Sequence, residues 1–112
     1  MDRIRIHETF LQTVATTRRE TVGKILLKEA KPQQLDAICE IILNLLKGNI
    51  PLEQSVYKKT AEHKNILRKL AKKCLKKVIR KKLFIKYFKV IKKLLAVILP
   101  SIGITLSALQ LG

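Results

Sequence analysis

Two histidines, two cysteines and a lysine-rich second half are where this chain of 112 residues has chemistry to offer. His7 and His63 stand far apart among polar neighbours, which fits two surface histidines better than a catalyst or a metal site. Ser55 and Thr60 carry no signature of an activated nucleophile. The sequence holds no phosphate-cradling glycine loop and no paired-carboxylate arrangement, and its most charged stretch lacks the carboxylates that general acid–base work needs. The expectation is a protein that is not an enzyme and needs no cofactor or metal. Cys39 and Cys74 lack metal-ligand spacing and are too few for a disulfide framework. Both fall among apolar residues at helical spacing and read as small core residues.

The lysines are a different matter. The chain has 24 Lys+Arg against 8 Asp+Glu, a formal charge of +16. All eight acids lie in residues 1–62 with ten basic residues, for a net of +2, while residues 63–112 hold fourteen basic residues and no acid. From Leu94 to Gly112 there is no charge at all. Three zones follow: a near-neutral helical region (1–50), basic amphipathic helices (51–93) and an apolar tail (94–112). The N-terminus, Met1-Asp-Arg-Ile-Arg-Ile-His-Glu8, has no apolar run of the kind a secretory signal needs, so an intracellular or virion-interior home is expected.

The elements that position these charges read as helices. Residues 9–30 fit a helix of modest quality, with Thr13, Thr16, Thr17, Thr21 and Gly23 lowering its propensity. Residues 32–47 are better marked. Pro32 suits a first turn and Gly48 a stop, and Leu35, Ile38, Cys39, Ile42, Leu45 and Leu46 form one apolar stripe, widened by Ile41 and Leu43. Gly48-Asn49-Ile50-Pro51 is a turn. Residues 53–80 then read as helix, with Leu67, Leu70, Ala71, Cys74, Leu75, Val78 and Ile79 on one side and Lys69, Lys72, Lys73, Lys76 and Arg80 on the other. The pattern fails at Lys81 and Lys82 and resumes with Leu83, Phe84, Tyr87, Phe88, Val90, Ile91, Leu94 and Leu95 on a face rotated by roughly half a turn, which predicts a bend or break near Arg80–Leu83 and a further helix over 83–99. The fold class is all-α: a small helical bundle, then a long basic amphipathic helical region, then the apolar tail.

Fourteen cations without interspersed acids repel one another in a way that ordinary solvated faces avoid, and this points to a polyanion partner. The candidate nucleic-acid-binding residues are Lys64, Arg68, Lys69, Lys72, Lys73, Lys76, Lys77, Arg80, Lys81, Lys82, Lys86, Lys89, Lys92 and Lys93. Only two are arginines, and lysine acts on phosphate as a point charge rather than forking onto guanine edges. The expected mode is non-specific binding of double-stranded DNA through its backbone. Phe84, Tyr87 and Phe88 at helical spacing read as an apolar face rather than a platform for stacked bases. The same lysines, next to an uncharged tail, also suit an anionic membrane interface. In the tail, Leu94, Leu95, Val97, Ile98, Leu99, Ile102, Ile104 and Leu106 are the candidate membrane or capsid contacts. The segment is short for a bilayer span and is interrupted by Pro100 and Gly103, so burial against protein or a place in a membrane interface suits it at least as well. As an appendage, it should be removable with DNA affinity nearly unchanged.

A resemblance sharpens this. The stretch Ile98-Leu-Pro-Ser-Ile-Gly-Ile-Thr-Leu-Ser-Ala-Leu-Gln110, which follows a basic segment, resembles the C-terminal tail of adenovirus core protein X precursors. The segment from Lys31-Pro-Gln-Gln-Leu-Asp-Ala-Ile-Cys-Glu40 to Leu46-Lys-Gly-Asn-Ile-Pro-Leu52 looks like the small basic proteins of adintoviruses, the adenovirus-like transposon viruses of animals. The resemblance implies a virion core protein that condenses the DNA genome beside the capsid. Residues 64–93 would touch DNA, the tail would dock on capsid protein or disturb membranes, and the site of action would be the virion interior and, during assembly, the host nucleus (or a cell interior for an endogenised copy). Two features depart from the adenovirus pattern. Those proteins are arginine-rich, and they carry a diglycine cleavage site before the tail where this chain has Lys92-Lys93-Leu94-Leu95.

Overall fold

In the computed structural model, which describes residues 2–73 and 76–104, local sequence signals decide the best-formed elements and long-range pairing decides the rest. The described residues form eight helices and no strand: α1 (Asp2–Ile6), α2 (Glu8–Thr16), α3 (Glu20–Lys28), α4 (Pro32–Leu46), α5 (Gln54–Ala61), α6 (Lys64–Lys73), α7 (Lys77–Lys86) and α8 (Phe88–Ser101). The class is all-α.

Helix α4 follows its sequence marks almost to the residue. Pro32 occupies the first turn, and Gln34 Oε1 accepts the Lys31 N–H at 2.8 Å, so an otherwise orphaned donor is satisfied. At the other end Gly48 takes φ 74°. Its N–H reaches the Leu45 carbonyl, and that of Asn49 reaches the Asn44 carbonyl, a Schellman closure that favours glycine because no Cβ obstructs the left-handed turn. Leu35, Ala37, Ile38, Ile41 and Ile42 are buried, facing α1, α2 and α6.

The expected helix over 9–30 is instead two helices. Thr13, Thr16 and Thr17 each turn a hydroxyl back to the carbonyl four residues earlier, which competes with the helical ladder. The backbone then becomes extended at Thr17 and Arg19. The expected helix over 53–80 is also divided, by a turn at Glu62–His63 and by the non-helical backbone of Lys76. No bend occurs at Arg80–Leu83. The chain breaks instead before α7 and at Tyr87. The anticipated half-turn reset assumed Arg80 on the outer, lysine face. Arg80 points inward, 2% exposed, while Ile79 is 42% exposed. With Arg80 and Phe84 sharing the inner side at i, i+4, α7 needs no reset.

One core serves all three composition zones. It joins Leu11 and Val14 of α2, Leu27 of α3, Ile38 and Ile42 of α4, Leu67 and Leu70 of α6, Phe84 of α7, and Phe88, Ile91, Leu95 and Ile98 of α8. Helix α8 packs on α2 and α3, α7 on α3, and α6 on α4. The described part of the apolar tail, residues 94–104, is therefore an interior element. Its helix ends in a second Schellman closure, with Gly103 at φ 85° and the Ile104 N–H on the Leu99 carbonyl at 2.8 Å. That turn puts Ile104 back into the core, 0% exposed. Arg5 Nη2 donates to the Ile102 carbonyl at 3.1 Å and ties α1 to the same end.

Gly23, in mid-helix, has a packing reason. A Cβ added there would lie 1.9 Å from Phe88 Cζ, so the bare backbone of α3 forms the seat for that ring. Alanine would gain about 1 kcal/mol of helix propensity, but overpacking costs about 1–3 kcal/mol. Because Phe88 is itself buried, the steric term wins. Gly23→Ala should lower stability in urea denaturation, and adding Phe88→Leu should recover part of the loss.

Candidate nucleic-acid interface

Of the fourteen cations without interspersed acids, the fold sorts the twelve whose side chains are described into exposed, half-buried and buried groups. Lys64, Arg68, Lys69 and Lys72 on α6, Lys76 before α7, Lys82 and Lys86 on α7, and Lys89 and Lys93 on α8 are exposed. Lys81 and Lys92 are half-buried. The side chains of Lys73 and Lys77 lie outside the described residues. Exposed Lys58 and Lys59 on α5 add to the cationic surface.

Arg80 leaves the set. Its guanidinium forms an ion pair with Asp36 of α4, with the arginine side chain 3% and the aspartate side chain 29% exposed. It also donates to the Pro32 carbonyl at 3.2 Å and lies 3.8 Å from Cys39 Sγ. A forked, always-charged group with several donors suits this place, where a carboxylate and a helix-start carbonyl must both be met. Lys81 is drawn in likewise. Its ammonium donates to the carbonyls of Lys28 (2.9 Å) and Ala30 (3.1 Å), which lack helical partners at the end of α3. These two cations clamp α7 to α3 and α4. The sequence hint for Arg80 was its type, since it is one of only two arginines among fourteen cations.

Lys89 is exposed but stands 3.6 Å from Glu20 of α3, which also pairs with Lys24 at 3.2 Å. The Lys24 ammonium, bonded to the Glu20 carboxyl and assisted by Lys89, holds that carboxyl below its ordinary value. On the exposed surface such pairs contribute little to stability.

The aromatic trio separates. Phe84 and Phe88 are core residues, whereas Tyr87 is half-buried at the break between α7 and α8. Two ammonium groups lie over its ring, Lys69 at 5.8 Å and Lys86 at 5.5 Å from the centroid.

The proposed membrane or capsid contacts are corrected by burial. Leu94, Leu95, Ile98, Leu99 and Ile104 belong to the core, and Val97 and Ile102 pack against it half-buried; Leu106 lies outside the described residues. Among the described residues, no helix is long and apolar enough to cross a membrane. Cys39 is likewise more than a small core residue, because it is disulfide-bonded. The chain's other cysteine, Cys74, lies outside the described residues. No group of three or more metal-ligating side chains occurs among the described residues. No family model matches this chain, and no curated protein or solved structure matches it.

Proposed function

We propose that this protein is a non-enzymatic binder of double-stranded DNA that grips the phosphate backbone without reading sequence and condenses the duplex. The observation that carries the reading is the exposed set Lys64, Arg68, Lys69, Lys72, Lys76, Lys82, Lys86, Lys89 and Lys93, displayed by a folded body within a stretch that has no carboxylate. Such a surface draws a polyanion in by releasing its counterions. The lysine bias favours point-charge contact over base recognition. The resemblance to adenovirus core proteins supports a place in a virion core, beside capsid protein, reached through the host nucleus.

The test is a titration of the purified chain with random-sequence duplex DNA across a salt series, with anionic vesicles as competitor. A log–log salt slope corresponding to roughly six to ten neutralised phosphates, and little loss to vesicles, is expected. The triple variant Lys64→Gln/Lys72→Gln/Lys76→Gln should reduce that slope by about 3 and weaken all sequences alike. Weak DNA binding with tight vesicle uptake would overturn the reading in favour of an anionic lipid surface.

A further inference from the structure

We infer that Tyr87, with the ammonium groups of Lys69 and Lys86 gathered over its ring, is the principal phosphate-binding point of the cationic surface. The inference rests on the DNA-binding reading and narrows it from a diffuse surface to one place.

Three observations converge. Lys69 is on α6, Lys86 ends α7, and Tyr87 is the single residue between α7 and α8, so three helices meet there. Both ammonium groups lie within 6 Å of one ring centroid, so cations from two separate helices are anchored on the same aromatic side chain. Residues 63–112 hold no Asp or Glu that could stand between them.

The ring's negative face compensates part of the repulsion. A phosphate oxygen would compensate more, since charge-assisted hydrogen bonds are the strong ones. A free lysine loses considerable rotamer freedom when it is fixed on a ligand. Lys69 and Lys86 are already partly fixed by the ring, so less is lost on binding. The tyrosine hydroxyl is a further donor at the same place. Elsewhere on this surface Lys89 is shared with Glu20 and Lys81 is spent on backbone carbonyls, so neither matches this arrangement.

The chain has two tyrosines and no tryptophan, so Tyr57→Phe leaves Tyr87 as the only strong intrinsic fluorophore. In that background, random-sequence duplex DNA should change Tyr87 emission in step with binding. Lys69→Gln/Lys86→Gln should weaken binding about tenfold more than Lys58→Gln/Lys59→Gln, an equal loss of charge on α5. Lys69→Arg/Lys86→Arg should restore most of the affinity. All six side-chain positions are exposed or half-buried, and circular dichroism checks that helicity is kept. Equal losses in the two glutamine doubles with a silent Tyr87 would overturn this inference and leave the DNA-binding reading standing. No DNA binding by the parent chain would overturn both. A Tyr87 response to phosphatidylserine vesicles but not to duplex would also overturn both and assign the point to lipid headgroups.

Discussion

Arg80→Leu is expected to lower the unfolding free energy by roughly 1–3 kcal/mol, the cost of leaving partly buried polar groups without their partner. The substitution keeps apolar bulk beside Phe84 but strips Asp36 and the Pro32 carbonyl of their donors. A carboxylate only 29% exposed is then left without its counter-charge, and that desolvation exceeds whatever the leucine gains. Urea denaturation monitored by circular dichroism measures the loss. Replacing both partners, Arg80→Leu with Asp36→Leu, should recover much of it, because no charge is then stranded. At temperatures where the single variant stays folded, its DNA salt slope should match that of the parent. A slope reduced by about 1 would mean that Arg80 reaches phosphate, against its burial.

Deletion of residues 94–112 has the second large effect. As an appendage, the tail would be dispensable for DNA affinity. In the fold it supplies Leu94, Leu95, Ile98, Leu99 and Ile104, all 5% exposed or less. At about 1.5–3 kcal/mol for each buried side chain, the deletion removes on the order of 10 kcal/mol, comparable to the whole stability of a small domain. The truncated chain should therefore show no cooperative melting transition. Leu95→Ala is the milder version, with an expected loss of about 2–5 kcal/mol. A truncated chain that still melts cooperatively near the parental temperature would place the tail outside the core.

Helix α4 was legible because everything that defines it is local: a proline to start, a glycine to stop and an apolar stripe between them. The inner face of α8 was legible for the same reason, and Phe88, Ile91, Leu94 and Leu95 are buried as their spacing implied. Arg80 was not legible. Periodicity ranks a cation as outward-facing, and nothing local marks an aspartate 44 positions earlier as its partner. That one misplaced residue moved the anticipated bend and put Ile79 on the wrong side of α7. The tail was only half legible, since its sequence allowed burial against protein as well as a membrane interface. An uncharged run has the same composition whether its neighbour is lipid or protein, and only packing against α2 and α3 decides between them. The break at Thr17 lay in residues already recognised as poor helix formers, but low propensity does not say where a helix stops. For the candidate site, the charge segregation gave the character of the surface, while the meeting of Lys69 and Lys86 over Tyr87 depends on how α6 docks against the α7–α8 junction.

The seating of α8 on α2 and α3 also governs how the chain reaches this state. Arg5 and Ile102 are bonded across 97 positions, so the contacts that finish the core span nearly the whole described chain. Helical proteins built from neighbouring pairs fold fast because little loop entropy must be lost first. Here α2 and α3 must wait for a partner made much later, with Leu11, Val14 and Leu27 open to water in the meantime. Closure of α8 is then expected to come late in folding, and a chain without it leaves this apolar surface open to aggregation.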